Sequence, residues 1–128
     1  MSSYHYLFVR PRTNPARLLE DLTPLFGADF ERIHREYADF RAVAGQVVVE
    51  VAFTHGFGIE PQYEDRDMPL SRYPICVTFR FSENAVTPGA EATAAWRGYH
   101  GLEKLGGYDL LLTYDFQQVL AASPPLEG

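Results

Sequence analysis

Tyr4 to Arg10 is a run of aromatic and branched residues in which Tyr4, Tyr6 and Phe8 fall on one side of an extended chain and His5, Leu7 and Val9 on the other. Both sides are apolar, which predicts a strand covered on both faces and therefore central in its sheet. Asn14 followed by Pro15 has the form of a helix cap and first turn, and Leu18, Leu19, Leu22, Leu25 and Phe26 then recur at helical spacing. Pro24 has no N–H to give and is expected to end or kink that helix. Beyond Gly27, Asp29 can cap a second helical stretch, with Phe30, Ile33, Tyr37 and Phe40 on one stripe, Glu31, Arg32, Arg35 and Glu36 toward water, and Gly45 as its stop.

Gln46 to Thr54 alternates with period two, Val47, Val49, Val51 and Phe53 opposing Val48, Glu50, Ala52 and Thr54, and predicts a second strand. From His55 to Arg72 the pattern gives way to Gly, Pro and charged residues. This connection is longer than the ~12 to 15 residues beyond which structureless loops become uncommon, and such loops usually carry function. Tyr73 to Phe81 alternates again, with Tyr73, Ile75, Val77, Phe79 and Phe81 opposing Cys76, Thr78 and Arg80, and should pair antiparallel with the strand before the loop. Thr87 and Pro88 open a helix with Ala92, Trp96, Tyr99 and Leu102 on one stripe and Gly106-Gly107 beyond its end. Gly98 and Gly101 each weaken it by up to ~1 kcal/mol relative to Ala, which fits a helix lying close to a neighbouring element. Tyr108 to Phe116 alternates as the last strand, and the tail Ser123 to Gly128 is expected to fray.

The order of strand, helical segment, strand, strand, helix, strand is similar to the split βαββαβ order of ferredoxin-like domains. It predicts an α+β fold: one four-stranded, mainly antiparallel sheet with two to three helices on one face, in a single domain 1–128 with residues 3–122 ordered. Glu50, Thr78, Arg80, Asp109, Thr113 and Asp115 then share the face away from the helices.

Composition agrees with a globular chain: 46% hydrophobic and 22% charged over 128 residues, enough to fold without disulfide or metal. The one cysteine, Cys76, excludes an internal disulfide and points to a reducing, cytoplasmic setting. Met1 to Arg10 has neither the apolar core nor the small-residue cleavage site of an export signal, and no apolar run approaches the ~20 residues of a membrane span. Ten Arg against a single Lys, with many Ala, Gly and Pro, suggests a high-GC bacterial source. A net charge of −6 argues against nucleic acid as partner. Arg72-Tyr73-Pro74 also fails to fit the aromatic strand motif of RNA-recognition domains.

No catalytic residue, metal or cofactor is assigned. His5, His34, His55 and His100 are scattered, with no i, i+4 pair and no cysteine partner. His55-Gly56-Phe57-Gly58 is similar to the Gly-rich oxyanion segment of esterases, but the chain has no G-x-S-x-G nucleophile elbow, so the glycines are read as turn formers. The Gly spacing of a P-loop or dinucleotide fingerprint is also missing.

Two functions remain. The first is a small acidic protein-binding module, an inhibitor or bacterial immunity-type protein, that takes a basic partner through residues 55–72. There Glu60, Glu64, Asp65 and Asp67 supply steering charge, and Phe57 and Tyr63 supply anchors that bury area at low entropic cost. The second is a ferredoxin-like homodimer with a small-molecule or catalytic site on the open sheet face, built from His5, Glu50, Arg80 and Asp115. Monomer and homodimer are both compatible with the sequence.

Overall fold

A computed structural model of the chain describes residues 4–35, 38–54, 69–82, 87–115 and 118–126. In chain order the elements are β1 (His5–Pro11), α1 (Arg17–Phe26), β2 (Glu31–Arg35), β3 (Ala38–Ala44), β4 (Val47–Ala52), a single 3₁₀ turn (Leu70–Arg72), β5 (Ile75–Phe81), α2 (Ala90–Leu105), β6 (Tyr108–Tyr114) and β7 (Gln118–Ser123). The strands form one antiparallel sheet of seven, in the order β2-β3-β4-β5-β1-β6-β7.

This corrects the expectation of a four-stranded sheet with ferredoxin-like order: among the described residues there are seven strands and two α-helices. The strands foreseen from alternation, β1, β4, β5 and β6, are neighbours in the middle. Three more extend the sheet at its edges.

The second helical stretch expected after Asp29 is instead the hairpin β2–β3. Phe30, Ile33, Tyr37 and Phe40 do fit a helical stripe, yet Phe40, Ala42 and Ala44 also alternate against Asp39, Arg41 and Val43. Pairing with β4 from Phe40↔Val51 to Ala44↔Val47 decides for the strand. Gly45 is then not a helix stop but the first residue of a two-residue turn, where its φ of +61° is free of Cβ strain. The edge strand β2 exposes Glu31, Arg32, His34 and Arg35, as befits an edge that must not pair further.

Both helices lie on one face of the sheet. Leu18, Leu22 and Phe26 of α1 and Ala94, Ala95, Tyr99 and Leu102 of α2 pack on Leu7, Val9, Val49, Val77, Phe79 and Leu112. The buried stripe of α2 runs through Glu91, Ala94, Ala95, Gly98, Tyr99 and Leu102, so Trp96 sits at its margin, stacked on His100. Pro24 does not end α1, which continues to Phe26 and stops at Gly27 with φ +62°. At its start the Ala16 N–H donates to Asn14 Oδ1 at 3.0 Å.

The second face is covered in part. Leu70 and Tyr73 form a small cluster with Phe8, Cys76 and Leu111, joined by Val119, Ala122 and Leu126. Tyr73 therefore packs opposite to Ile75 and Val77, because it precedes β5, which begins only at Ile75. In the C-terminal segment, Ser123 is paired with Leu110 in the sheet. Burial pushes the Cys76 thiol up to about 12, so it is a packed apolar group rather than a nucleophile. Among the described residues no helix is long and apolar enough to cross a membrane.

Candidate functional site

Three polar constellations stand out against the apolar sheet. One lies at the rim where β1 ends and β6 begins. Arg10 and Asp109 are cross-strand partners there, and Arg12 follows the end of β1 with its N–H donating to the Gly107 carbonyl at 2.9 Å. Arg10 Nε donates to Asp109 Oδ2 at 2.8 Å and its Nη2 to the same oxygen, while Arg12 Nε and Nη2 both reach Oδ1 at 2.7 Å. The Asp109 side chain is 6% exposed; those of Arg10 and Arg12 are 53% and 58% exposed. Burial works against the Asp109 charge, but the two guanidinium groups outweigh it and hold its carboxyl below the usual range. Burial, reinforced by Asp109, raises the hydroxyl of the neighbouring Tyr73.

At the opposite end of β1, His5 Nδ1 meets Glu91 Oε2 in the first turn of α2, and both residues are buried. Tyr114 stands edge-on to the His5 ring with centroids 5.1 Å apart. Glu91 Oε1 is buried and has no hydrogen-bond partner among the described residues. Burial raises the Glu91 carboxyl; the His5 hydrogen bond and charge pull it back, and Asp115 pushes it up again. On balance Glu91 favours its neutral form more than an exposed Glu does.

The third constellation crosses the face away from the helices. Glu50 lies between Arg41 on β3 and Thr78 on β5, and Arg80 Nε donates to Glu50 Oε1 at 2.9 Å. Among the described residues Arg41 reaches the exposed Glu31, at 3.5 Å.

The four polar residues suggested from sequence for a sheet-face site are therefore divided. Glu50 and Arg80 pair with each other on the second face. His5 points to the helix side and is consumed by Glu91. Asp115 caps the end of β1: its Oδ1 accepts from the Tyr4 N–H at 2.7 Å, and its own N–H donates to the Tyr4 carbonyl at 2.7 Å. Its φ of +48° takes it out of the strand alternation on which its placement beside Arg80 rested. Phe57, Glu60, Tyr63, Glu64, Asp65 and Asp67 lie outside the described residues.

Glu91, Arg10 and Arg12 were not singled out by sequence, and Asp109 was placed on a face without a role. One signal was available for Glu91: it is the only charged member of the buried stripe of α2.

The anchors of the segment that holds the six acidic and aromatic candidates are described. Ala52 at the end of β4 and Cys76 near the start of β5 are directly paired, and the whole stretch Phe53 to Ile75 runs between them. The next hairpin back, β3–β4, closes through Gly45 and Gln46 alone. Comparison with family models, with curated proteins and with solved structures finds no match.

Proposed function

We propose that the chain is a protein-binding module of the inhibitor or immunity type, acting in a bacterial cytoplasm, which binds a basic partner protein through the 55–72 connection, within which Leu70 packs into the second-face cluster and residues 55–68 are left for the partner. What supports this is the pairing of Ala52 with Cys76. Adjacent antiparallel strands need only about two to five residues to connect, so the sheet does not call for the length inserted here. The composition of this added length points to a binding role. Glu60, Glu64, Asp65 and Asp67 favour a cationic surface, and Phe57 and Tyr63 are residue types that anchor interfaces. The net charge of −6 adds long-range steering toward such a partner.

The alternative of a small-molecule site shared by His5, Glu50, Arg80 and Asp115 is not advanced, because His5 and the Glu50–Arg80 pair occupy opposite faces of the sheet.

The test is affinity capture from source-cell lysate with two baits, the wild type and the Glu64→Ala, Asp65→Ala, Asp67→Ala triple variant, read by mass spectrometry. The reading requires one stoichiometric basic protein that is held by the wild type and lost with the variant. Equal capture by both baits would refute it.

A further inference from the structure

The rim formed by Arg10, Arg12 and Asp109 holds more positive charge than its own pairing uses. Two guanidinium groups share one carboxylate, which leaves the cluster with a net positive charge on a chain whose total is −6. Arg72, exposed on the 3₁₀ turn, adds to the same neighbourhood: it and Arg10 both act on the Tyr73 hydroxyl.

Fold stability alone does not explain this arrangement. Asp109 is followed by Leu110, Leu111 and Leu112, all wholly buried, and an apolar residue in its place would avoid the cost of desolvating a carboxylate. What the buried carboxylate does achieve is to fix two flexible side chains. Each oxygen takes the Nε/Nη2 edge of one arginine, and both arginine side chains remain more than half exposed. Their backbones are equally fixed, Arg10 within β1 and Arg12 by its bond to Gly107. Two guanidinium groups held side by side on rigid elements by a buried carboxylate make a preorganised site for an anion with several acceptor oxygens.

We propose that Arg10 and Arg12, positioned by Asp109, bind a dianionic tetrahedral oxyanion of the phosphate class. None of these three residues lies within 55–68. Arg10 and Arg12 are the binding residues; Asp109 is a positioning residue. Either free phosphate or a phosphomonoester supplies the required chemistry, and the two are distinguished by using inorganic phosphate and O-phosphoserine as separate probes.

The experiment is a titration of the whole chain with each probe at constant ionic strength, followed by amide chemical shifts, with chloride and acetate as controls. Saturable shifts are expected at Arg10, Arg12 and Asp109 with at least one phosphate probe. Arg10→Gln and Arg12→Gln should each weaken binding by about tenfold, and each leaves Asp109 with one arginine to keep the fold. Asp109→Asn is the sharper variant, since it adds a positive charge to the patch: it should weaken binding if the carboxylate positions the arginines and strengthen it if charge alone matters. If Asp109→Asn does not fold, the two arginine variants decide. No saturable binding of either probe, wild-type affinity in both arginine variants, or tighter binding by folded Asp109→Asn would overturn the proposal.

Discussion

Ala52 and Cys76 face each other across two neighbouring strands, although the chain from Phe53 to Ile75 separates them. Leu70 and Tyr73, at the near end of that stretch, are built into the second-face cluster and belong to the fold. A variant in which a short Gly-Ser linker replaces residues 55–68 and Pro69 to Pro74 is kept tests what the remainder contributes. Because closing a shorter loop costs less entropy, the variant should be as stable as the wild type or more stable by up to about 1 kcal/mol. Urea denaturation of the two proteins measures this; a loss of several kcal/mol would place residues 55–68 among the structural ones.

The pair His5–Glu91 predicts a pH dependence with a definite sign. Burial raises the folded Glu91 carboxyl above its unfolded value, so its contribution is present below the unfolded value and is lost as pH rises through the folded one. Wild-type urea midpoints should fall with rising pH just above the ordinary carboxylate range, and Glu91→Gln should flatten that fall. Asp109 acts in the opposite sense: its folded value is lowered, so its stabilisation is lost as pH drops through that value. Removing the imidazole strands the Glu91 carboxylate, and His5→Ala should cost about 3 kcal/mol near neutrality.

Two glycines on α2 separate packing from propensity. A Cβ at Gly98 would lie 3.2 Å from Phe79 Cζ and 3.3 Å from Phe26 Cζ, both in the core; one at Gly101 would meet the methyls of the half-buried Leu25 at 2.5 and 2.6 Å. Leu25 can rotate away, whereas Phe79 is wholly buried and cannot. Gly98→Ala should lose about 1 kcal/mol or more despite the ~1 kcal/mol that Ala brings to a helix. Gly101→Ala should come out closer to neutral. Thermal unfolding of both variants checks the order.

Glu50 on β4 stands between Arg41 on β3 and Arg80 on β5, so Glu50→Gln leaves two guanidinium groups on one face without the carboxylate that separates them. A loss of about 1 kcal/mol is expected, and it should shrink in high salt as the repulsion is screened. Equal midpoints for the two proteins in low salt would show the pair to be energetically silent.

Where alternation was strong, as in Val47 to Val51 and Tyr108 to Leu112, the strand was legible in sequence because only one period fitted. Phe30, Ile33, Tyr37 and Phe40 satisfy helical spacing, and nothing local discloses that β4 is waiting to pair with Phe40 to Ala44. β7 is small and weakly patterned, Gln118 to Ser123, and becomes a strand through its pairing with β6. The polar clusters were hidden for the same reason. His5 meets Glu91 at a chain separation of 86, and Arg10 and Arg12 meet Asp109 at 99 and 97. Spacing motifs read along the chain do not register partners that only a sheet brings together.

The most direct test of the central claim uses the linker variant again, now with the partner captured by the wild type. Binding of that purified partner to both proteins is measured by calorimetry in low and in physiological salt. The linker variant, folded as shown by a urea midpoint no lower than that of the wild type, should bind at least a hundredfold more weakly (about 2.7 kcal/mol), and wild-type affinity should fall with salt. Undiminished binding by the folded linker variant would contradict the claim.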